Sequence, residues 1–159
     1  MNDLDDETDD TLLFEVAVPL EAEAAYDLFV RRFGDWWPAE FTFSGEGLAA
    51  IGIDDRADGR CFERAQGGKE LVWGTVVEAA PPRGLMFHWH ITPEREIDAR
   101  EERSSTVTIL FAPDDRGTIV RLQHAGLSRH GKDWARYRAA MASEQGWPYC
   151  LEHFRTAAG

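Results

Sequence analysis

Two residues in this chain pair a titratable group with a strand-like setting: Glu63 in "GRCFERA" and His124 in "GTIVRLQHAG". Side chains two apart on a strand share a face. Val120, Leu122 and His124 therefore lie together, with Arg121 and Gln123 opposite, and Cys61 lies with Glu63. If the apolar faces point inward, both groups reach the interior. Imidazole titrates near neutrality, and a carboxylate at a cavity wall can serve as acid or base. The structural alternatives are a histidine bonded to backbone and an exposed carboxylate facing Arg64 or Lys69. Catalysis requires both groups to reach one cavity, within about 6–8 Å or bridged by one water. Acid–base assistance alone contributes roughly 10²- to 10⁴-fold. That suits a cyclase or dehydratase with a reactive substrate and is thin for a hard hydrolysis.

Other chemistries find less support. In "LMFHWHIT", Leu85, Phe87 and Trp89 share one face and His88 and His90 the other. Zinc wants three or four protein ligands, and His124 belongs to the wrong face to be the third. The pair is expected at the surface, with no metal. Ser44, Ser104, Ser105, Ser128 and Ser143 lack a nucleophile-elbow context, and no phosphate-cradling glycine loop precedes a helix. No cofactor is expected. Cys61 and Cys150 fit no metal spacing and read as reduced thiols of a cytoplasmic protein.

The elements that must position these residues follow from periodicity. "TLLFEVAVP" (11–19) reads as a strand with Leu12, Phe14, Val16 and Val18 on one face. "EAEAAYDLFVRRF" reads as a helix with an Ala22, Tyr26, Phe29, Phe33 stripe, capped by Gly34. From 42 to 127, strand-like runs alternate with the turn signals "ADGR", "QGGK", "APPRG" and "PDDRG". The charged stretch 91–104 reads as a mobile loop. In the last segment Trp134, Tyr137 and Met141 share a face, as do Trp147, Leu151 and Phe154, but the sets are out of phase by roughly 90°. Gly146 and Pro148 lie between them, so a break near 145–148 is expected, with Pro148 at the first helical position of the new segment. A sheet buried on one face needs a lid, and only the C-terminal helix is long enough. The fold class is α+β: a curved antiparallel sheet of about six to seven strands around a long C-terminal helix.

The 159 residues suggest one domain, 11–159, preceded by an acidic, disordered tail, 1–10, that holds six of the chain's acids. Formal net charge is −12 with no basic cluster, which argues against nucleic acid and anionic membrane surfaces as partners. No apolar run is long enough to span a bilayer, and the first ten residues lack the apolar core of a signal peptide.

Taken in order, "VPLEAEAAYDLF", "WWP", "DGRCFERAQGGKELVWGTVVEAAPPRGLMFHW", "GTIVRLQHAGL" and the late "GW…CL…F" resemble the SRPBCC superfamily. This is the START and birch-pollen-allergen-like helix-grip fold. The branch is that of bacterial homologues of the heat-shock protein 90 ATPase activator domain. Departures are Asp58-Gly59 where the pattern has two glycines, Pro148, and no room for the separate N-terminal domain of the eukaryotic activators. The resemblance implies a mostly apolar cavity between sheet and C-terminal helix. Members bind lipids, hormones or polyketides there, some transform them, and the eukaryotic activators bind a chaperone.

In such a fold the aromatic excess gains a purpose, since ligand pockets are lined by aromatics with a few polar groups. The alternative is plain core packing. Expected lining residues come from the first helix and its exit (Phe33, Trp36, Trp37) and from the sheet (Glu63, Trp73, Phe87, Trp89, Leu122, His124). The C-terminal segment adds Trp134, Tyr137, Met141, Trp147 and Leu151. Of the adjacent pair Trp36 and Trp37, one should pack inward and the other shape the entrance. Three readings follow: binding of an apolar or aromatic small molecule, a cyclase- or hydrolase-like enzyme using Glu63 and His124, and a chaperone-linked or homodimeric protein-binding module.

Overall fold

The computed structural model describes residues 9–159. The first alternating run forms β1 (Leu12–Val18), with Leu12 and Val18 buried and Leu13, Glu15 and Ala17 exposed. Pro19 ends it. Helix α1 (Ala22–Tyr26) continues as a π-helical turn over Asp27–Arg31. Tyr26, Phe29 and Phe33 of the expected stripe are buried, and Ala22 is half-buried. Leu28 and Val30 are buried too, so this segment is enclosed over a wider arc than the stripe implied. Gly34 is not a left-handed cap. It sits inside a 3₁₀ turn, Phe33–Asp35, where a Cβ would lie 3.0 Å from the Ile51 carbonyl oxygen, so close approach to the sheet explains it.

Six further strands follow: β2 (Leu48–Ile53), β3 (Arg60–Ala65), β4 (Glu70–Ala80), β5 (Gly84–Trp89), β6 (Ser105–Asp114) and β7 (Gly117–Ala125). The four turn signals each join neighbouring strands, and the Pro81–Pro82 bond is cis. The sheet order is β1-β7-β6-β5-β4-β3-β2, antiparallel throughout, curled into a half-barrel. Register sets the concave face. Leu12 pairs with His124, His124 with Val107, Val107 with Phe87 and Phe87 with Val76, and all five are buried.

The concave face closes over α1 and a bent C-terminal helix of 25 residues. The bend falls where the phase change places it, between α2 (Trp134–Ala142) and α3 (Trp147–Ala158). Pro148 is the second residue of α3, one position later than expected, and still needs no amide donor in that first turn. Phe154 of α3 meets Phe29 at 4.9 Å and Trp36 at 5.3 Å, centroid to centroid, which locks α3, the first helical segment and the sheet into one core.

Two expectations need correction. His90 is buried, not superficial: Ser104 Oγ lies 2.7 Å from its Nδ1 and Thr75 Oγ1 2.9 Å from its Nε2. The 91–104 loop folds over it and is internally braced, by an Ile91–Ile97 bridge, by ion pairs from Asp98 to Arg100 and Arg103, and by Ser104 Oγ donating to the Arg100 carbonyl. Alternation named the outer face correctly and could not show that a loop covers it. Of the acidic tail, residues 1–8 lie outside the described residues. Asp10 is held in place, accepting from the Ser128 N–H (3.0 Å) and hydroxyl (2.6 Å).

At Gly146 a Cβ would stand 2.1 Å from the Met141 carbonyl oxygen, so the bend closes only without a side chain there. Gly146→Ala is expected to cost about 1–3 kcal/mol through forced backbone movement, read as a lowered Tm with the far-UV circular dichroism preserved.

Candidate functional site

The two halves of the bent helix meet the sheet through the polar tips of aromatic residues. In α2, the Tyr137 hydroxyl accepts from Trp89 Nε1 (2.9 Å) and donates to the Ile91 carbonyl (2.7 Å). Burial holds that hydroxyl above its ordinary pKa. The Trp89 bond and the positive charge of Arg95 oppose the shift, and Glu94 adds to it. In α3, Trp147 Nε1 donates to His124 Nδ1 (3.0 Å). Indole can only donate, so Nδ1 is the acceptor and His124 carries its proton on Nε2. That N–H donates to Ser105 Oγ (2.7 Å), whose own proton goes to His130 Nε2 (2.8 Å). Neutral imidazoles suit this chain: a proton on His124 Nδ1 would face the Trp147 N–H, and one on His130 Nε2 would face the Ser105 hydroxyl proton. Burial enforces this, pushing His124 down to about 3 and His130 to about 4.

Of the two settings left open for Glu63 the structure shows the inward one, buried on the same face as Cys61. Its oxygens accept from Phe43 N–H (3.0 Å), Ser44 N–H (2.7 Å) and Ser44 Oγ (2.7 Å), so the carboxyl group fastens the segment after Pro38 to β3. The expected partners Arg64 and Lys69 are not involved. Arg64 lies instead beside Glu70.

Between these anchors lies a cleft of about 210 Å³. One wall is the segment after the first helix: Trp37, Phe41, Thr42 and Phe43. Trp89 and Ile91 form its floor, Arg95 stands at the rim, and Tyr137, Ala140, Met141, Gln145, Gly146, Trp147 and Cys150 close the far side. A narrow inner void of about 10 Å³, near the space of a single water, lies behind it. It is bordered by Glu63, Trp73 and Ile51, and shares Trp37, Phe41, Phe43, Trp89 and Ile91 with the cleft. A wider depression at Ala17–Pro19 and Asp114–Arg116 has no aromatic lining. Among the described residues no cluster of His, Cys, Asp and Glu has the makings of a metal site.

Of the residues expected at a site, Trp37, Trp89, Tyr137, Met141 and Trp147 border the cleft, while Glu63 and Trp73 reach only the inner void. Phe33, Trp36, Phe87, Leu122, His124 and Leu151 are buried core, and Trp134 packs against its edge. Trp36 turns inward, donating to the Phe29 carbonyl (3.2 Å), and Trp37 lies at the mouth, stacked on Phe33 at 4.9 Å. Glu63 and His124 are therefore not brought to a shared cavity: His124 lies behind Trp147 and borders neither space. Among the lining residues that the sequence reading did not name are Phe41, Phe43, Ile91 and Arg95. Phe41 and Phe43 stand two apart in "EFTFS", a signal that was legible. The role of Ile91 and Arg95 depends on how the 91–104 loop returns.

A curled antiparallel sheet gripping a bent C-terminal helix around an aromatic cleft defines a START-like, SRPBCC-type protein. The family model described as Activator of Hsp90 ATPase homolog 1-like protein matches residues 21–159, and the chain belongs to that family. Solved structures agree. An anthrahydroquino-gamma-pyrone synthase, Txn09, is 28% identical with a TM-score of 0.65, over 92% of this chain and 95% of that one. The self-sacrificing resistance protein CalC from Micromonospora echinospora is 26% identical with a TM-score of 0.66, over 93% of both chains. Protein MLL2253 from Mesorhizobium loti, 19% identical with a TM-score of 0.61 over 92% and 94%, shares the fold. No curated protein matches the sequence. Family and neighbours together support a ligand-binding or cyclase-like function. No helix among the described residues is long and apolar enough to cross a membrane.

Two outcomes are expected. An unfolded histidine titrates near 6.5, so unfolding takes up a proton at His124 and at His130 between that value and their folded values. Stability should fall as pH drops below about 6.5, each histidine adding about 1.4 kcal/mol per pH unit to the slope. Urea unfolding at several pH values measures this, and His124→Gln should flatten the slope while lowering stability at neutral pH. Glu63→Ala strips the acceptors from three donors, a loss of about 2–4 kcal/mol. Hydrogen exchange should then quicken at the Phe43 and Ser44 amides, with Glu63→Gln intermediate.

Proposed function

We propose that this chain binds a planar aromatic small molecule in the cleft between the 37–43 segment and the elbow of the C-terminal helix. The observation that carries the reading is convergence. Trp37, Phe41, Phe43, Trp89, Tyr137 and Trp147 come from four separate parts of the chain and border one open space. Ring faces and edges so arranged favour a flat, apolar guest, and aromatic contacts each contribute about 0.5–1.5 kcal/mol beyond burial. The volume of about 210 Å³ is below the usual range of roughly 300–1,000 Å³. It suits a molecule of roughly two fused rings, or one end of a larger one.

The solved neighbours lend weight, since one is described as a synthase of an anthrahydroquino-gamma-pyrone. Binding is favoured over turnover because the strong acid–base groups are committed elsewhere. Glu63 holds a loop, His124 is sealed in a hydrogen-bond chain, and the Tyr137 hydroxyl both accepts and donates. The protein-partner reading draws on the family description alone. Among the described residues the exposed large apolar side chains are Leu13, Val77 and Leu110, spread over β1, β4 and β6, and Phe43 at the cleft.

Intrinsic tryptophan fluorescence, read beside thermal shift, tests the reading against aromatic polyketides, indoles and fatty acids. Fused-ring aromatics are expected to shift the emission and raise Tm with concentration, as mass action requires. Ala140→Trp, on the exposed rim, should fill the cleft and weaken binding at least about tenfold, with Tm of the free protein unchanged. Leu13→Ala should do neither. Equal binding by the wild type and Ala140→Trp would place the ligand elsewhere.

A further inference from the structure

We infer that the ligand of this cleft is an aromatic anion, a ring system carrying a carboxylate or ionised phenolic oxygen, oriented by Arg95. This rests on the cleft being the binding site.

The first argument is charge. The chain has 29 acidic and 17 basic residues, yet among the described residues no Asp or Glu lines the cleft, and the one charged side chain there is Arg95. A surface this acidic would by chance supply a carboxylate before a guanidinium.

The second is the absence of a competing partner. On the same loop Arg100 and Arg103 are both paired to Asp98, and Arg138 on α2 reaches Asp9 and donates to the Thr11 carbonyl. Among the described residues Arg95 makes neither an ion pair nor a side-chain hydrogen bond. Its planar fork of five donors fits a carboxylate with two parallel bonds.

The third is how Arg95 is held. Its φ is 63°, in the left-handed region where a long side chain is uncommon. A closed turn imposes this: Arg95 N–H donates to the Thr92 carbonyl (2.9 Å), Thr92 N–H to the Glu96 carbonyl (2.8 Å), and Glu96 N–H to Thr92 Oγ1 (3.1 Å). Strain retained at a cavity rim is a mark of a working position.

The hydrogen-bond inventory of the cavity points the same way. Trp37 Nε1 donates to the Phe41 carbonyl, and Thr42 Oγ1 donates to the Ala39 carbonyl and accepts from the Gly45 N–H. The Tyr137 hydroxyl is engaged on both sides. What remains unmatched is a set of donors: Arg95 at the rim and Trp73 Nε1, buried without a partner, beside the inner void. Gln145 at the rim offers an amide of either sense. A guest that answers these groups carries its acid toward Arg95, and away from the inner void, which the Glu63 carboxyl group borders along with Trp73. Glu94 and Glu96 flank Arg95 in sequence but do not line the cleft.

Calorimetric titration of the full chain with naphthoate and with naphthamide decides the matter, because the two share a ring and differ in charge. The acid is expected to bind about tenfold tighter at low salt, with the ratio shrinking as salt rises. Arg95→Gln should bring the ratio close to one. Arg95→Asn should do the same while easing the left-handed backbone, which separates lost charge from relieved strain, and Arg95→Lys should keep part of the preference. Equal affinity for both compounds in the wild type, or a preference that survives Arg95→Gln, would overturn the anionic ligand and leave the cleft as a neutral aromatic site. Binding of neither compound, and none of the wider aromatic panel, would remove the cleft reading and this inference with it.

Discussion

The hydrogen bond from Trp147 to His124 is the joint on which the rest of the molecule turns. It ties the first residue of α3 to the inner face of β7, and through Ser105 and His130 it reaches the segment that leads into α2. Both arms of the bent helix are thereby fixed to the sheet at one end, and the space left between them and the 37–43 segment becomes a cleft. A neutral imidazole is the right group for this place. It accepts from an indole on one side and donates to a hydroxyl on the other, and a buried polar group so matched carries no desolvation debt.

Around that joint the aromatic residues form a continuous lattice. Rings run from Trp147 through Trp89, Trp73, Phe33 and Trp36 to Phe29, each within 6 Å, centroid to centroid, of the next. Most of it is core: Trp36, Phe29 and Phe154 interlock beneath the first helix and are closed to solvent. The cleft is the part of the lattice that stays uncovered, where Trp37, Trp89 and Trp147 present ring surface. An aromatic excess here serves two ends at once, because the rings that close the core also pave the cleft's floor and walls.

The proposed preference for binding over turnover rests on where the polar groups are spent. A general acid or base must reach its substrate with a proton to move. Each strong candidate spends its bonding capacity on architecture instead, Glu63 on the 43–44 amides and His124 on the tryptophan joint. What the cleft keeps uncommitted is donors and ring faces, the equipment of a binding site.

Much of this was legible in the order of residues. Alternation set His124 with Val120 and Leu122, Phe87 with Trp89, and Glu63 with Cys61, because a strand's two-residue period ties face to position; that Glu63's face is the concave one came from the structure. The phase slip between Trp134-Tyr137-Met141 and Trp147-Leu151-Phe154, with Gly146 and Pro148 at the join, marks the bend in the sequence itself. Local rules carry such facts, since each depends on a few neighbouring residues. Other facts belong to tertiary structure alone. That His90 lies beneath a loop, that His124 sits behind Trp147 and outside the cleft, and that Arg95 returns to its rim all depend on which distant segments meet. A sequence states that a side chain faces inward. Whether it then meets a ligand or another side chain is decided by what packs opposite, and in this protein Trp147 reached His124 first.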